Sequence, residues 1–279
     1  MEMEWLINNK YKIVKQIGSG TFGTIYQGIN IRTHEKVAIK IELISDDLKL
    51  LKYESNIYKI LHNTEGVPKI KWYGKDESHY YMVIDLLGNS LEKLLEISGK
   101  FKLKLVLQIG INILNILMNI HNKGFVHRDI KPENFLLTTN KPTKIFIIDF
   151  GISKPYIINN KHIVCKMTHQ FIGTPNFASI NTHNFYEQSR RDDLEALAYM
   201  LIYFYFGELE WTDTKISFLD KEEENNFVKN KKKELINNEN VPGVLMDYYK
   251  NVVNLEFDEN PDYKQLINNF TNELLKNNE

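Results

Sequence analysis

The chain has 279 residues, 43% of them hydrophobic and 25% charged, with 35 basic and 36 acidic side chains and a net charge of −1. That is the make-up of a globular protein with room for one large domain or two lobes, and its balanced charge excludes a general attraction for nucleic acid or an anionic membrane. A lone cysteine, Cys165, excludes an internal disulfide and a cysteine-built zinc site, and it suits an intracellular compartment, the cytoplasm first and the nucleus second.

The start, "MEMEWLINNK", mixes acidic residues with no long apolar run and does not read as a signal peptide. "YKIVKQIG", "TIYQGIN" and "KVAIKIE" follow, short segments rich in β-branched and aromatic residues and separated by turns, which predict three strands. In "DDLKLLKYESNIYKIL", Leu48, Leu51, Ile57, Ile60 and Leu61 recur at helical spacing, with Asp46 and Asp47 suited to the helix N-terminus. "VPKIKWYG" and "YYMVIDLL" predict two more strands. After "DLLG", Asp85 to Gly88, the pattern turns to long helices, so that segment is the expected hinge. The expectation is an α+β chain of two lobes, a small β-rich one over about 5–86 and a larger, mainly helical one over 87–279.

Two helical segments are very apolar. "LVLQIGINILNILMNI" is interrupted by Gln108, Asn112, Asn115 and Asn119, and "LEALAYMLIYFYF" is too short to cross a bilayer, so both are expected to be core helices. "KEEENNFVKNKKKELINNEN" is the most polar stretch. Its Lys231–Lys233 run reads as a solvated face in preference to a targeting signal.

"GSGTFG" places Gly18, Gly20 and Gly23 in a G-x-G-x-x-G pattern. A strand former follows where a dinucleotide-binding fold would open a helix, so the loop reads as the tip of a hairpin over phosphates, or as a plain glycine hairpin. Lys40 in "VAIK" sits among apolar residues and calls for a counter-charge; Glu54 is the candidate, against a lysine that snorkels to solvent. In "HRDIKPEN", Asp129 can accept a hydroxyl proton and Lys131 can neutralise a phosphate in transfer. Asn134 and, at the end of the expected strand "IFIID", Asp149 offer hard oxygens for Mg²⁺. Any one of these can be a loop polar group satisfied by backbone; their joint occurrence in this order points to chemistry.

In chain order, "GSGTFG", "VAIK", Glu54, "HRDIKPEN" and "DFG" resemble the eukaryotic protein kinases. "GTPNFASINTH" with "EQSRRDDLEALAYMLIYF" resembles the casein kinase I family, which carries Ser-Ile-Asn, here Ser179, Ile180 and Asn181, where most kinases have Ala-Pro-Glu. "YESNIYKIL", "LLGNSLEKLL" and "DENPDYKQL" match as well, so the resemblance runs from about Tyr11 to Leu275. It implies a single bilobal kinase domain over residues 1–279, using ATP and Mg²⁺ to phosphorylate serine or threonine in protein substrates, and expected as a monomer. Ile17, Gly18, Gly20, Gly23, Ile25 and Ala38 would line the ATP site. Lys40 would hold the α- and β-phosphates and pair with Glu54, Ile84 would be the gatekeeper, and backbone groups of Asp85 and Leu87 would bind adenine. Asp129 would be the base, Lys131 its neighbour, Asn134 and Asp149 the metal ligands, and Asp193 a brace beneath the catalytic loop. With this set complete, an active enzyme is favoured over a pseudokinase or binding scaffold.

The sequence departs from the family where the family reads phosphorylated or acidic substrates. Asn176 stands where an arginine is usual, and Glu222, Glu223 and Glu224 follow Trp211 where basic residues are usual. Weakened preference for such substrates is expected, with Arg190, Arg191 and Lys215 as the alternative cations. Ala198 replaces a helix glycine and is expected to be tolerated. The chain ends soon after its last helix, so the autoinhibitory tail of many relatives is expected to be absent. Constitutive activity would follow, with Thr168 and Thr174 as the loop threonines to check.

Overall fold

A computed structural model describes residues 6–20, 23–44, 50–139, 144–212 and 218–276. Thr21, Phe22, Asp46, Asp47, Leu48 and Lys215, all used above, lie outside the described residues. In chain order the elements are β1 (Leu6–Ile7), β2 (Tyr11–Gly20), β3 (Gly23–Asn30), β4 (Lys36–Leu43), α1 (Leu50–Ile60), β5 (Ile70–Lys75), β6 (His79–Asp85), α2 (Leu91–Ser98), α3 (Leu103–Asn122), β7 (Phe125–Val126), β8 (Phe135–Leu137), β9 (Ile145–Ile147), β10 (Lys154–Pro155), β11 (Ile157–Ile158), β12 (Lys161–His162), α4 (Ile180–His183), α5 (Arg190–Phe206), α6 (Lys221–Glu234), α7 (Gly243–Val253) and α8 (Tyr263–Lys276). Contacts divide them into two units, 1–89 with 136–151, and 90–135 with 152–279.

The first unit is built on an antiparallel six-stranded sheet in the order β1-β2-β3-β4-β6-β5. Alternation along β4 sends Val37, Ile39 and Ile41 to one face, where they pack with Ile7, Tyr11, Tyr81 and Val83. Each such side chain contributes on the order of 1.5–3 kcal/mol when fully buried. The same period puts Ala38 and Lys40 on the other face. There Ala38 lies opposite Ile84, and Lys40 opposite Ile25 and Met82. The segment from Leu136 onward joins this unit through backbone hydrogen bonds from Gly88 to Leu137 (2.7 Å), from Leu137 to Asn89 (3.0 Å) and from Ile147 to Gly66 (2.8 Å). The strand β9 stops at Ile147. Asp149 follows at φ 67°, two residues past the end of the strand and not in it as expected.

The second unit is helical. Ser90 caps α2 by accepting the Lys93 N–H at 3.1 Å. By length and composition α3 could cross a membrane, yet half of its most apolar window is packed inside this unit, where it meets α5 and α8. Along α5 almost every position is buried, Asp192, Asp193 and Glu195 included, and Ala198 sits at 1% exposure. The Asp192 carboxylate accepts the Ser189 N–H at 2.7 Å where α5 starts, and Gly207, at φ 87°, ends it. Asp220 caps α6 by accepting the N–H groups of Glu222 and Glu223, both at 2.9 Å. The expected solvated face of Lys231–Lys233 holds for Lys233, which is exposed, and fails for Lys232, which is fully buried because α6 packs that position inward.

Candidate active site

The chemistry-bearing residues fall into one group in each unit. In the first, the Lys40 ammonium lies 2.7 Å from Glu54 Oε2 and 3.2 Å from Asp149 Oδ1. Burial alone would lower the Lys40 pKa, but the two carboxylates raise it above the ordinary lysine value, so the charge is secured. Glu54, at 2% exposure, is pushed up by burial, with Lys40 opposing. The position of Glu54 depends on α1, and Glu42 of β4 ties that helix to the sheet by accepting the Leu51 N–H at 2.8 Å. Asp149 is held at its positive φ by its N–H to Tyr58 Oη (3.3 Å), and Tyr58 packs edge-on against Phe150.

On the same sheet face, Gly18 lies opposite Ile25, and Gly20 opposite Gly23. The register shifts between Gln16 and Gly18, and Ile17, in that irregularity, is 45% exposed. Gly23 needs to be glycine: its φ is 131°, and a Cβ would collide with the Ile41 carbonyl. Among the described residues, a Cβ at Gly18 would meet only Ile25 at 3.8 Å and one at Gly20 would meet no atom, so packing against them does not call for glycine there. Asp85 is fixed by exchange with Lys69, whose N–H reaches Asp85 Oδ2 at 2.7 Å and whose carbonyl takes the Asp85 N–H at 3.2 Å. Lys71 bridges Asp85 (2.8 Å) and Glu35 (2.7 Å). Leu87 is half-buried just before Gly88.

In the second unit, Asp129 is the centre. Its Oδ1 accepts the Thr174 hydroxyl at 2.7 Å, and its Oδ2 pairs with the Lys131 ammonium at 2.8 Å. Lys131 also donates to Thr174 Oγ1 at 3.2 Å. Asn134 Nδ2 donates to the Asp129 carbonyl (2.8 Å) and carboxylate (3.2 Å). With its donor end turned to Asp129, the amide keeps Oδ1 as an acceptor suited to a hard cation. Asp193, 2% exposed, takes the Arg128 N–H at 2.9 Å and the His127 N–H at 2.7 Å, along with His121 Nε2 at 2.9 Å. His121 Nδ1 in turn meets the Tyr263 hydroxyl. Burial would raise Asp193, but the His121 hydrogen bond and the neighbouring imidazoles hold it below the usual carboxylate range. This clamp keeps Arg128 at φ 71°.

Among the described residues no cluster of three His, Cys, Asp or Glu side chains forms a self-sufficient metal cage. Magnesium is ordinarily held by one or two protein oxygens with water and phosphate oxygens supplying the rest. Asp149, partly exposed, offers a carboxylate oxygen of that kind in the first unit, and Asn134 a neutral one in the second.

Both arginines considered as anion-binding alternatives have other work. Arg190 donates to Asn260 (2.8 Å) and the Asp258 carbonyl (2.9 Å), and Arg191 to the Leu255 carbonyl (3.1 Å), so both brace the connection between α7 and α8. Asn176 is half-buried, its carbonyl accepting Trp211 Nε1 at 2.9 Å, and Glu222–Glu224 are exposed on the first turn of α6. Thr168 donates its N–H (2.6 Å) and its hydroxyl (3.1 Å) to the Phe185 carbonyl. Sequence reasoning missed two parts of the site, the bridging hydroxyl of Thr174 and the carboxylate of Glu42 that holds α1, and outside the site it missed the buried Lys232. Only the last had a visible signal, an apolar position at helical spacing in Val228 one turn before it.

A family model described as the protein kinase domain matches residues 11–278.

Proposed function

The chain belongs to the protein kinase domain family, and on that footing we propose that this phosphotransferase is a serine/threonine protein kinase of the casein kinase I type, acting as one domain on protein substrates with ATP and Mg²⁺. The observation that carries the reading is the group around Asp129, in which one carboxylate is oriented by Thr174, Lys131 and Asn134 together. The casein kinase I assignment draws further support from Ser179, first of the Ser-Ile-Asn triplet. Its hydroxyl donates to Asp192 at 2.5 Å and accepts the Thr182 N–H at 3.0 Å, so it anchors the segment that α4 begins.

In the proposed reaction Asp129 orients the acceptor hydroxyl and takes its proton as the oxygen bonds to the γ-phosphorus and the bond to the β-phosphate oxygen breaks, giving ADP and a phosphoprotein. Lys131 offsets the charge on the phosphoryl oxygens. Lys40, held by Glu54, receives the α- and β-phosphates. Gly18 and Gly20, which packing against the described residues does not require to be glycine, let backbone N–H groups approach them, and Ile17, Gly23, Ile25 and Ala38 complete that wall. Ile84 closes the back of the adenine site, and the backbone of Asp85 and Leu87 reads the base. Asn134 and Asp149 hold Mg²⁺, which when bound neutralises phosphate charge. The cytoplasm, with the nucleus, is the proposed location.

The test is transfer from labelled ATP with Mg²⁺ to casein and to peptide libraries carrying Ser, Thr or Tyr. Label on Ser and Thr is the expected result. Label confined to Tyr would overturn the acceptor assignment.

A further inference from the structure

Apart from Phe227 and Val228 the helix α6 is polar, and a lysine is among the side chains most costly to bury. Yet Lys232 is 0% exposed. Burial pushes Lys232 well below the ordinary lysine value, with the Glu195 carboxylate opposing; its charged form, with three N–H donors and no acceptor, is favoured by the three acceptors around it: the Pro175 carbonyl at 2.6 Å, the Ala178 carbonyl at 2.7 Å and His183 Nε2 at 3.0 Å. The rings of Tyr199 and Trp211 lie 4.7 and 5.5 Å from it, faces that favour a cation.

The match requires a neutral His183. If Nε2 accepts from Lys232, the ring proton sits on Nδ1, and Nδ1 has an acceptor in Asn225 Oδ1 at 2.6 Å. Asn225 Nδ2 returns a hydrogen bond to the His183 carbonyl at 3.1 Å. Burial, and then the Lys232 charge, pushes His183 down to about 4, which keeps the ring neutral.

The two carbonyls belong to one turn. The Thr174 carbonyl accepts the N–H groups of Phe177 (3.0 Å) and Ala178 (2.9 Å), so Pro175 and Ala178 move with Thr174. Thr174 is the residue that holds the Asp129 carboxylate. We infer that Lys232 is a positioning residue for the acceptor peptide: it fastens the turn Thr174–Ala178 to α6 and so sets where the acceptor hydroxyl meets Asp129. This inference rests on the kinase reading above, in which that turn belongs to the segment receiving the peptide.

The test is Lys232→Met, which keeps the length and apolar stem and removes every donor. The expected result is a rise of about tenfold or more in KM for a peptide that the wild type phosphorylates. KM for ATP and the slow hydrolysis of ATP without peptide should stay within about twofold. Equal losses in hydrolysis and peptide transfer would mark a merely structural residue and overturn the inference, as would an unchanged peptide KM. If the Met chain does not fold, Asn225→Leu decides the matter. It releases His183 from its tautomer and should raise peptide KM by about threefold; no rise overturns the inference. A wild type that transfers nothing fells the kinase reading, and this inference with it, whereas an active wild type matched by both variants fells this inference alone.

Discussion

Asp193 shows how much the site depends on single carboxylates. Arg128 at φ 71° and Asp149 at φ 67° each occupy a region that costs a non-glycine residue about 1–2 kcal/mol. The Arg128 strain is offset by two charge-assisted hydrogen bonds from the loop backbone to Asp193. Asp129, Lys131, Asn134, Lys40 and Glu54 were legible in the sequence because each is a chemically unusual residue in a short, specific motif. Thr174 was legible only as a loop threonine, since its partner Asp129 is 45 residues away and nothing local announces the bond. Asn176 bears a prediction at this scale. It supplies no positive charge, and Arg190 and Arg191 are engaged between α7 and α8. A peptide with phosphoserine upstream of the target should therefore gain little in kcat/KM over the same peptide with serine. Asn176→Arg should restore part of a preference worth about 1.5–3 kcal/mol, and high salt should erode it. A large preference in the wild type would contradict this.

Elements were read well where one face meets a core. The alternation in β4 and the strand former after the glycine loop placed the hairpin correctly, because a period of two is a local signal. Of the short strands only β9 was foreseen, in "IFIID"; β7, β8, β10, β11 and β12 were missed, since two or three residues carry no period. Polar α6 hid its buried lysine for the opposite reason: two inward positions, Val228 and Lys232, cannot outweigh a solvated helix in any average. The interior of α5 is the other surprise, with burial pushing Glu195 up to about 7 and Asp192 up to about 6. Both lie above their unfolded values, so the stability from their neutral forms is complete below about pH 4 and is lost as pH rises through about 6 to 7. His183 runs the other way, its contribution present above about pH 6.5 and lost as pH falls through about 4. Glu195→Gln should therefore gain on the wild type by about 2 kcal/mol between pH 5 and pH 8. Urea unfolding at the two pH values measures it, and a constant gap between variant and wild type would contradict the burial argument.

At the scale of the whole molecule, the change from strands to helices after Asp85 is visible in the sequence because composition changes with it. The grouping of residues 136–151 with the first unit is not, because it depends on backbone hydrogen bonds to Gly66, Gly88 and Asn89, and backbone groups leave no trace in side-chain patterning. That return of the chain gives the first unit its Asp149, while Asp129 and Asn134 stay with the second. Each unit so holds part of the residue set proposed for phosphoryl transfer, and the proposed reaction turns on Asp129. Single-turnover transfer from Mg²⁺-ATP to a serine peptide, with nucleotide binding measured on the same samples, compares the wild type with Asp129→Asn. The expected result is unchanged nucleotide affinity and a rate about 10²–10⁴-fold lower in the variant. Equal rates would contradict the role of Asp129, and a wild type that binds Mg²⁺-ATP yet phosphorylates nothing would contradict the enzyme.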